Sequence, residues 1–158
     1  MERSNGRARR RMVPLAMIVA LALGVSPAGA RADTYRHKML EMINRSRRNH
    51  DVRRVKLNRS LSKDAQDWSR TMLRRNRVYD PPNLRDILSP YNWDDVGADS
   101  VGCGRTLHRV HEEMMGDRAH RSIILHPRAR RVGIGVVRAD RKNRCGHRSF
   151  WVSEFYYG

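Results

Sequence analysis

Lysine, cysteine and aromatic side chains are all scarce in this 158-residue chain. Only four of its 33 basic residues are lysines: Lys38, Lys56, Lys63 and Lys142. The two cysteines, Cys103 and Cys145, stand 42 residues apart, so no zinc ribbon fits. Aromatic residues make up 6% of the chain. Nucleic-acid recognition wants stacking rings among its arginines. Only Phe150, Trp151, Tyr156 and Tyr157 lie near a basic run, and strand alternation buries about half of them. A phosphate-cradling loop is missing too, since Gly102-Cys103-Gly104 is short and not followed by Lys-Ser/Thr. Acidic residues number 16, which leaves a formal charge of +17. Such charge fits anionic partners, and equally a GC-rich genome that encodes Arg in place of Lys. The 39% apolar fraction opposes full disorder, and the length fits one domain with a real core.

The beginning of the chain reads as an address. Arg3, Arg7, Arg9, Arg10 and Arg11 face a single acid, Glu2. An uncharged run follows, most apolar over residues 14–25, shorter than the roughly 20 residues of a membrane span. Ala28-x-Ala30 and Ala30-x-Ala32 then offer small residues to signal peptidase. Residues 1–32 are expected to be a signal peptide cleaved near Ala30 or Ala32, with an uncleaved anchor as the alternative. Arg9-Arg10-Arg11 only loosely matches a twin-arginine signal. Cleavage after Ala32 removes six arginines and one glutamate, which lowers the charge from +17 to +12. Residues 33–158 are then an exported, soluble domain. Export permits a Cys103–Cys145 disulfide; two free thiols are the alternative.

The mature chain places helices first and a hairpin last. Met39, Leu40, Met42 and Ile43 mark a helix over 36–49. Leu61, Ala65, Trp68, Met72 and Leu73 mark a second over about 60–76, its stripe read as a core face rather than a ligand groove. Asp80-Pro81-Pro82-Asn83 is a stop and a turn. Residues 81–95 are expected to be loop with one helical turn, and 96–102 a short strand. Leu107, Val110, His111 and Met114 share one face of a third helix over 105–115. A short helix over 119–125 ends before Pro127. Val132-Gly133-Ile134-Gly135-Val136-Val137 alternates as a strand whose glycines admit a close neighbour. A basic loop over 140–146 returns it to a strand over 150–156. The fold class is α+β, helices on a small antiparallel sheet.

An ordered set of motifs resembles a known family. Leu40-x-x-Ile43-Asn44-x-x-Arg47, Leu57-Asn58-x-x-Leu61-Ser62-x-x-Ala65 and Tyr79-Asp80-Pro81-Pro82-Asn83-Leu84 come first. Gly97-Ala98-Asp99, Asp117-Arg118-Ala119-His120-Arg121, Val132-Gly133-Ile134-Gly135-Val136 and Trp151-Val152-x-x-Phe155 follow. Together they resemble the bacterial secreted branch of the CAP superfamily: cysteine-rich secretory proteins, antigen 5 and pathogenesis-related 1. The resemblance covers about 36–158 and implies an α-β-α sandwich with a groove on one side. In many members two histidines and two acids line that groove and can hold a divalent metal. Here the first histidine falls on Asp80, the glutamate of G-E-N on Ala98, the second acid on Asp117, and the last histidine is kept as His120. Asp99 replaces the family's asparagine and is expected to disturb local strand pairing.

Asp80, Asp117 and His120 are therefore the groove candidates for catalysis or for metal, since carboxylate and imidazole suit divalent ions. Against a metal, Ala98 deletes one ligand and Asp80 is shorter than a histidine. No cofactor is expected; a divalent metal is the alternative. His108-x-x-His111 with Glu112-Glu113 is read as packing, and Ser122 and Ser153 lack an evident base. The basic candidates are Arg128, Arg130, Arg131 and Arg138, then Arg141, Lys142, Arg144 and Arg148. A second run holds Arg45, Arg47, Arg48, Arg53, Arg54 and Lys56. Either run is a solvated face, or a binding surface for an anionic extracellular polymer or lipid. Export makes intracellular nucleic acid the lesser partner, and a monomer is expected. Three functions follow: a non-enzymatic extracellular binding domain, a metal-assisted or acid/base hydrolase, or a polyanion binder.

Overall fold

A computed structural model describes residues 27–93 and 95–158. Its elements run α1 (Pro27–Asn49), β1 (Lys56–Leu57), α2 (Arg59–Arg75), α3 (Leu84–Leu88), β2 (Gly97–Gly104), α4 (Leu107–Gly116), α5 (Arg118–Ile124), β3 (Arg131–Ala139) and β4 (Ser149–Tyr157). The strands form one sheet in the order β1-β3-β4-β2. The three long strands are antiparallel, as expected, but β1 pairs parallel to β3 through Lys56 and Leu57. The sheet is therefore mixed. Two residues are too few to leave a period in the sequence, and β1 lies within what reads as a basic run.

The sheet separates two helical layers. Val132, Ile134, Val136, Val152 and Tyr156 pack with Met39 and Ile43 of α1, Val110 and Met114 of α4, and Ile124 of α5. The opposite face puts Phe155 against Leu61, Ala65 and Leu88, and Trp151 against Met72. Strand alternation sorts the residues, because successive side chains leave a strand on opposite faces. The expected stripe on α2 is a core face: Leu61, Ala65 and Met72 are fully buried, and Trp68 packs against both clusters on that side. On α4 the buried set is Leu107, Val110, His111 and Met114, the same four residues that mark its apolar stripe.

α2 is capped at both ends. The Asn58 side chain accepts from Leu61 N at 3.0 Å, and Asn76 takes the left-handed conformation at φ 48° to close the C-terminus. The helix lies almost on β3, because Gly133 and Gly135 have no side chains in the way. A Cβ on Gly133 would stand 2.6 Å from the Leu61 carbonyl carbon. This closeness has a use. β1 covers β3 only as far as Val132, so the rest of that strand edge lacks a neighbour. Ser62 Oγ accepts from Ile134 N at 3.0 Å. Gln66 accepts from Val136 N at 3.0 Å and donates to Val136 O at 2.9 Å. Arg36 Nε donates to Ile134 O at 2.8 Å. Side chains thus stand in for the missing strand.

Most of the expected leader, residues 1–26, lies outside the described residues. Pro27–Ala32 forms the first turns of α1, so both expected cleavage points fall on helical residues and the helix starts earlier than position 36. No helix among the described residues is long and apolar enough to cross a membrane. Cys103 and Cys145 form a disulfide with Cα atoms 5.9 Å apart, tying the end of β2 to the β3–β4 loop.

Candidate functional site

β2 organises the groove residues. It pairs with β4 along its whole length, including Asp99 opposite Phe155 and Ser100 opposite Glu154. The aspartate in place of asparagine does not disturb this pairing. Instead the Asp99 side chain leaves β2 on the α2 face, where Asp80 is close enough to raise its carboxyl. Burial, followed by the charge of Asp80, pushes Asp99 up to about 7.

The next residue serves the other face. Ser100 is fully buried, and its Oγ lies 3.0 Å from His120 Nδ1. Asp117 caps α5, its Oδ1 accepting from Ala119 N at 2.9 Å and His120 N at 3.0 Å. The backbone N–H of His120, more than that of Ala119, holds the Asp117 carboxyl below the usual carboxylate range. His120, Asp117, Glu113 and Met114 line a cleft of about 240 Å³ along β2. Ala98 shares the face of Ser100 and packs at the margin of the main core. So Asp117 and His120 come together, while Asp80 approaches the opposite face of the same strand. Among the described residues no three His, Cys, Asp or Glu side chains are grouped to hold a metal.

The other sequence candidates have structural partners. His111 is buried with Nε2 2.8 Å from Ser46 Oγ, and burial lowers it to about 4, so it is neutral at pH 7. His108 instead faces Glu112 at 3.2 Å on the exposed side of α4. Ser153 accepts from Ser69 Oγ at 3.0 Å in the core, and Ser122 donates to Ala119 O at 2.7 Å. Neither serine meets a base.

The basic candidates divide. Arg128, Arg130 and Arg131 sit at the start of β3, where Arg128 pairs with Asp95 at 2.8 Å. Arg141, Lys142 and Arg144 sit in the loop beyond its far end. At ~3.3 Å per residue the nine-residue strand separates the two groups by roughly 26 Å. They are two patches, not one. Arg47 leaves the second run altogether. It is fully buried and donates to the carbonyls of Arg53, Ile124, His126 and Ala129 at 2.6, 2.7, 3.1 and 3.2 Å.

Three features lie beyond the sequence candidates. The Asp80–Asp99 carboxyl pair is one. Glu154 is another, wholly buried and accepting from Tyr156 Oη at 2.6 Å. The third is Arg105 and Arg109 standing beside Arg144 across the disulfide. Only the last left a signal, since the expected disulfide would bring the loop to the β2–α4 corner.

The profile of the cysteine-rich secretory protein family (CAP) matches residues 40–155. An outer surface protein of Borrelia burgdorferi is similar in fold, with TM-score 0.62 and 12% identity over 79% of this chain and 94% of that one. An extracellular SCP-domain protein of Bacillus anthracis matches at TM-score 0.62 and 14% identity, over 85% of this chain. A cysteine-rich secretory protein of Staphylococcus aureus matches at TM-score 0.59 and 15% identity, over 81% of this chain. The chain spans only 45% and 40% of those last two proteins. No curated protein matches it by sequence.

Proposed function

The chain belongs to the cysteine-rich secretory protein (CAP) family, and on that footing we propose that it is an exported, non-enzymatic binding domain with a degenerate groove. Removal of residues 1–32 would release it, and the disulfide suits an oxidising compartment. One observation carries the groove reading: Asp80 is engaged by Asp99 on one face of β2, and His120 by Ser100 on the other. Asp99 and Ser100 leave β2 on opposite faces, which draws Asp80 and His120 to different sides of that strand. Zinc titration of the purified protein, with a screen of peptide, nucleic-acid and cell-wall substrates, tests this. The expected result is no turnover and no zinc binding that depends on His120. Micromolar zinc affinity abolished by His120→Ala would overturn it.

An acid/base hydrolase is the second function, and the Asp80–Asp99 pair is the observation that favours it. A carboxyl pushed up to about 7 beside an exposed carboxylate can hold a proton near neutrality. This hydrolase would use Asp80 and Asp99 rather than Asp80, Asp117 and His120. Turnover that survives chelation but is lost in Asp99→Asn would establish it.

A further inference from the structure

The disulfide end of the sheet carries a feature that the groove does not use. Cys103 lies next to the end of β2 at Gly104, Arg105 and Thr106 turn the chain into α4, and Arg109 lies on its first turn. The disulfide brings Cys145 and Arg144 of the β3–β4 loop to the same place. Between them opens a cleft of about 530 Å³. Three arginines line it, Arg105, Arg109 and Arg144, with one acidic residue, Glu113. That carboxylate is already engaged by Arg109 Nε at 3.0 Å. Thr106 is occupied as the helix cap, accepting from Arg109 N at 3.0 Å.

The loop is anchored from both sides. Asn143 bonds Ser149 and the backbone of Cys145, and Arg144 N donates to Asn76 Oδ1 at 2.8 Å. That last bond sets the end of α2 beside the loop and continues the charge. Arg75 and Arg77 both lie over the Tyr79 ring there, at 5.7 and 5.6 Å. The cleft therefore sits within a basic surface drawn from three separate segments of the chain.

We propose that the cleft between Arg105, Arg109 and Arg144 binds phosphate groups carried on an extracellular polymer. Each guanidinium presents a planar fork suited to paired oxygens. A single carboxylate or a single chain phosphate has two free oxygens and cannot serve three forks, whereas two adjacent phosphates joined through one bridging oxygen bring four into the same cleft. A concave pocket suits a discrete group rather than a flat bilayer. The charge continuing toward Arg75 and Arg77 suits several phosphates in series. This site is independent of the groove and survives any outcome there.

The probe is short-chain polyphosphate, titrated calorimetrically into the disulfide-bonded protein at 50 and 200 mM salt. Saturable binding is expected, weakening about tenfold or more between the two conditions as counterions are displaced. The double variant Arg109→Gln/Arg144→Gln should lose at least tenfold in affinity. Arg128→Gln/Arg131→Gln, at the other end of β3, should change it less than twofold. Both pairs are exposed, so an unchanged thermal melt will show that the fold is intact. Polyglutamate of similar length should bind at least tenfold more weakly. Equal losses in the two double variants would overturn the site and leave diffuse charge attraction. Polyglutamate binding as tightly as polyphosphate would overturn the phosphate assignment. Anionic phospholipid vesicles displacing polyphosphate at equal phosphate concentration would assign the surface to a membrane instead.

Discussion

Tyr156 donates its hydroxyl hydrogen to Glu154 Oε2 at 2.6 Å, two residues back on the same face of β4, where both side chains are wholly buried. Burial of the carboxyl outweighs the hydrogen bond from tyrosine, and Glu154 is pushed up from 4.5 to about 7. Between those two values the folded chain holds a proton that the unfolded chain has lost. The stabilising contribution is fully present below about 4.5 and is lost as pH rises toward 7. Its full extent is on the order of 3 kcal/mol. Glu154→Gln keeps an acceptor for Tyr156 and removes the titration. The variant should gain on the wild type steadily as urea midpoints are compared from pH 4.5 to 7.5. A difference that stays constant with pH would contradict the raised carboxyl.

Arg47 supports a prediction of a different kind. Its guanidinium stitches α1 to the end of α5 and to the segment after it, through four main-chain carbonyls. The end of α5 suits a cation, because its carbonyls lack helical partners and carry the negative end of the dipole. Arg47→Lys offers one nitrogen where several are needed and leaves buried carbonyls without donors. A loss of about 2–4 kcal/mol is expected. The neighbouring exposed Arg48→Lys should cost under about 0.5 kcal/mol. Chemical denaturation of the two variants side by side checks the contrast.

These two residues also mark what the sequence could convey. Apolar periodicity placed α2 and α4 with their buried faces, because side chains of one kind recur there at helical spacing. Arg47 looked like its exposed neighbours, since composition cannot tell a solvated cation from one that serves backbone carbonyls. The family motif located the residue, but its carbonyl partners come from segments up to 82 residues away. The groove was legible as a set of positions and not as a geometry. Whether Asp80 meets His120 depends on which face of β2 each neighbour occupies. The substitution at Asp99, expected to disturb strand pairing, leaves the pairing intact and sets a second carboxyl near Asp80. The basic candidates Arg130 and Arg144 are fourteen residues apart in sequence, yet the intervening strand puts them at opposite ends of the sheet.

The closeness of α2 to β3 gives a steric prediction. A Cβ on Gly135 would collide with the backbone of Ala65 and Gln66, and helix backbone cannot step aside as a flexible side chain can. Moving α2 outward would also break the Ser62 and Gln66 bonds that complete the β3 edge. Gly135→Ala should therefore cost about 3 kcal/mol or more, or prevent folding. Gly116→Ala meets nothing within 4 Å at the end of α4 and should be neutral or slightly stabilising. Soluble yield and thermal midpoint of the pair separate a local collision from a general intolerance of added volume.

The Asp80–Asp99 pair gives the prediction that bears most directly on function. Asp99 is raised from 3.8 to about 7, first by burial and then by Asp80. Its contribution has the same sign as that of Glu154: present below about 3.8, lost as pH rises through 7. Asp99→Asn removes the charge that burial and Asp80 both oppose. The variant should be more stable than the wild type at pH 8 and closer to it at pH 4. Asp80→Ala removes only the second cause, so the Asp99 carboxyl should titrate lower than about 7 and still above 3.8, as followed by carboxyl NMR. A pair retained for acid/base chemistry would behave differently in one respect. Both variants would then abolish a measurable turnover with a pH profile centred near the shared proton. Gain of stability without loss of any activity is the outcome expected for a groove that binds rather than reacts.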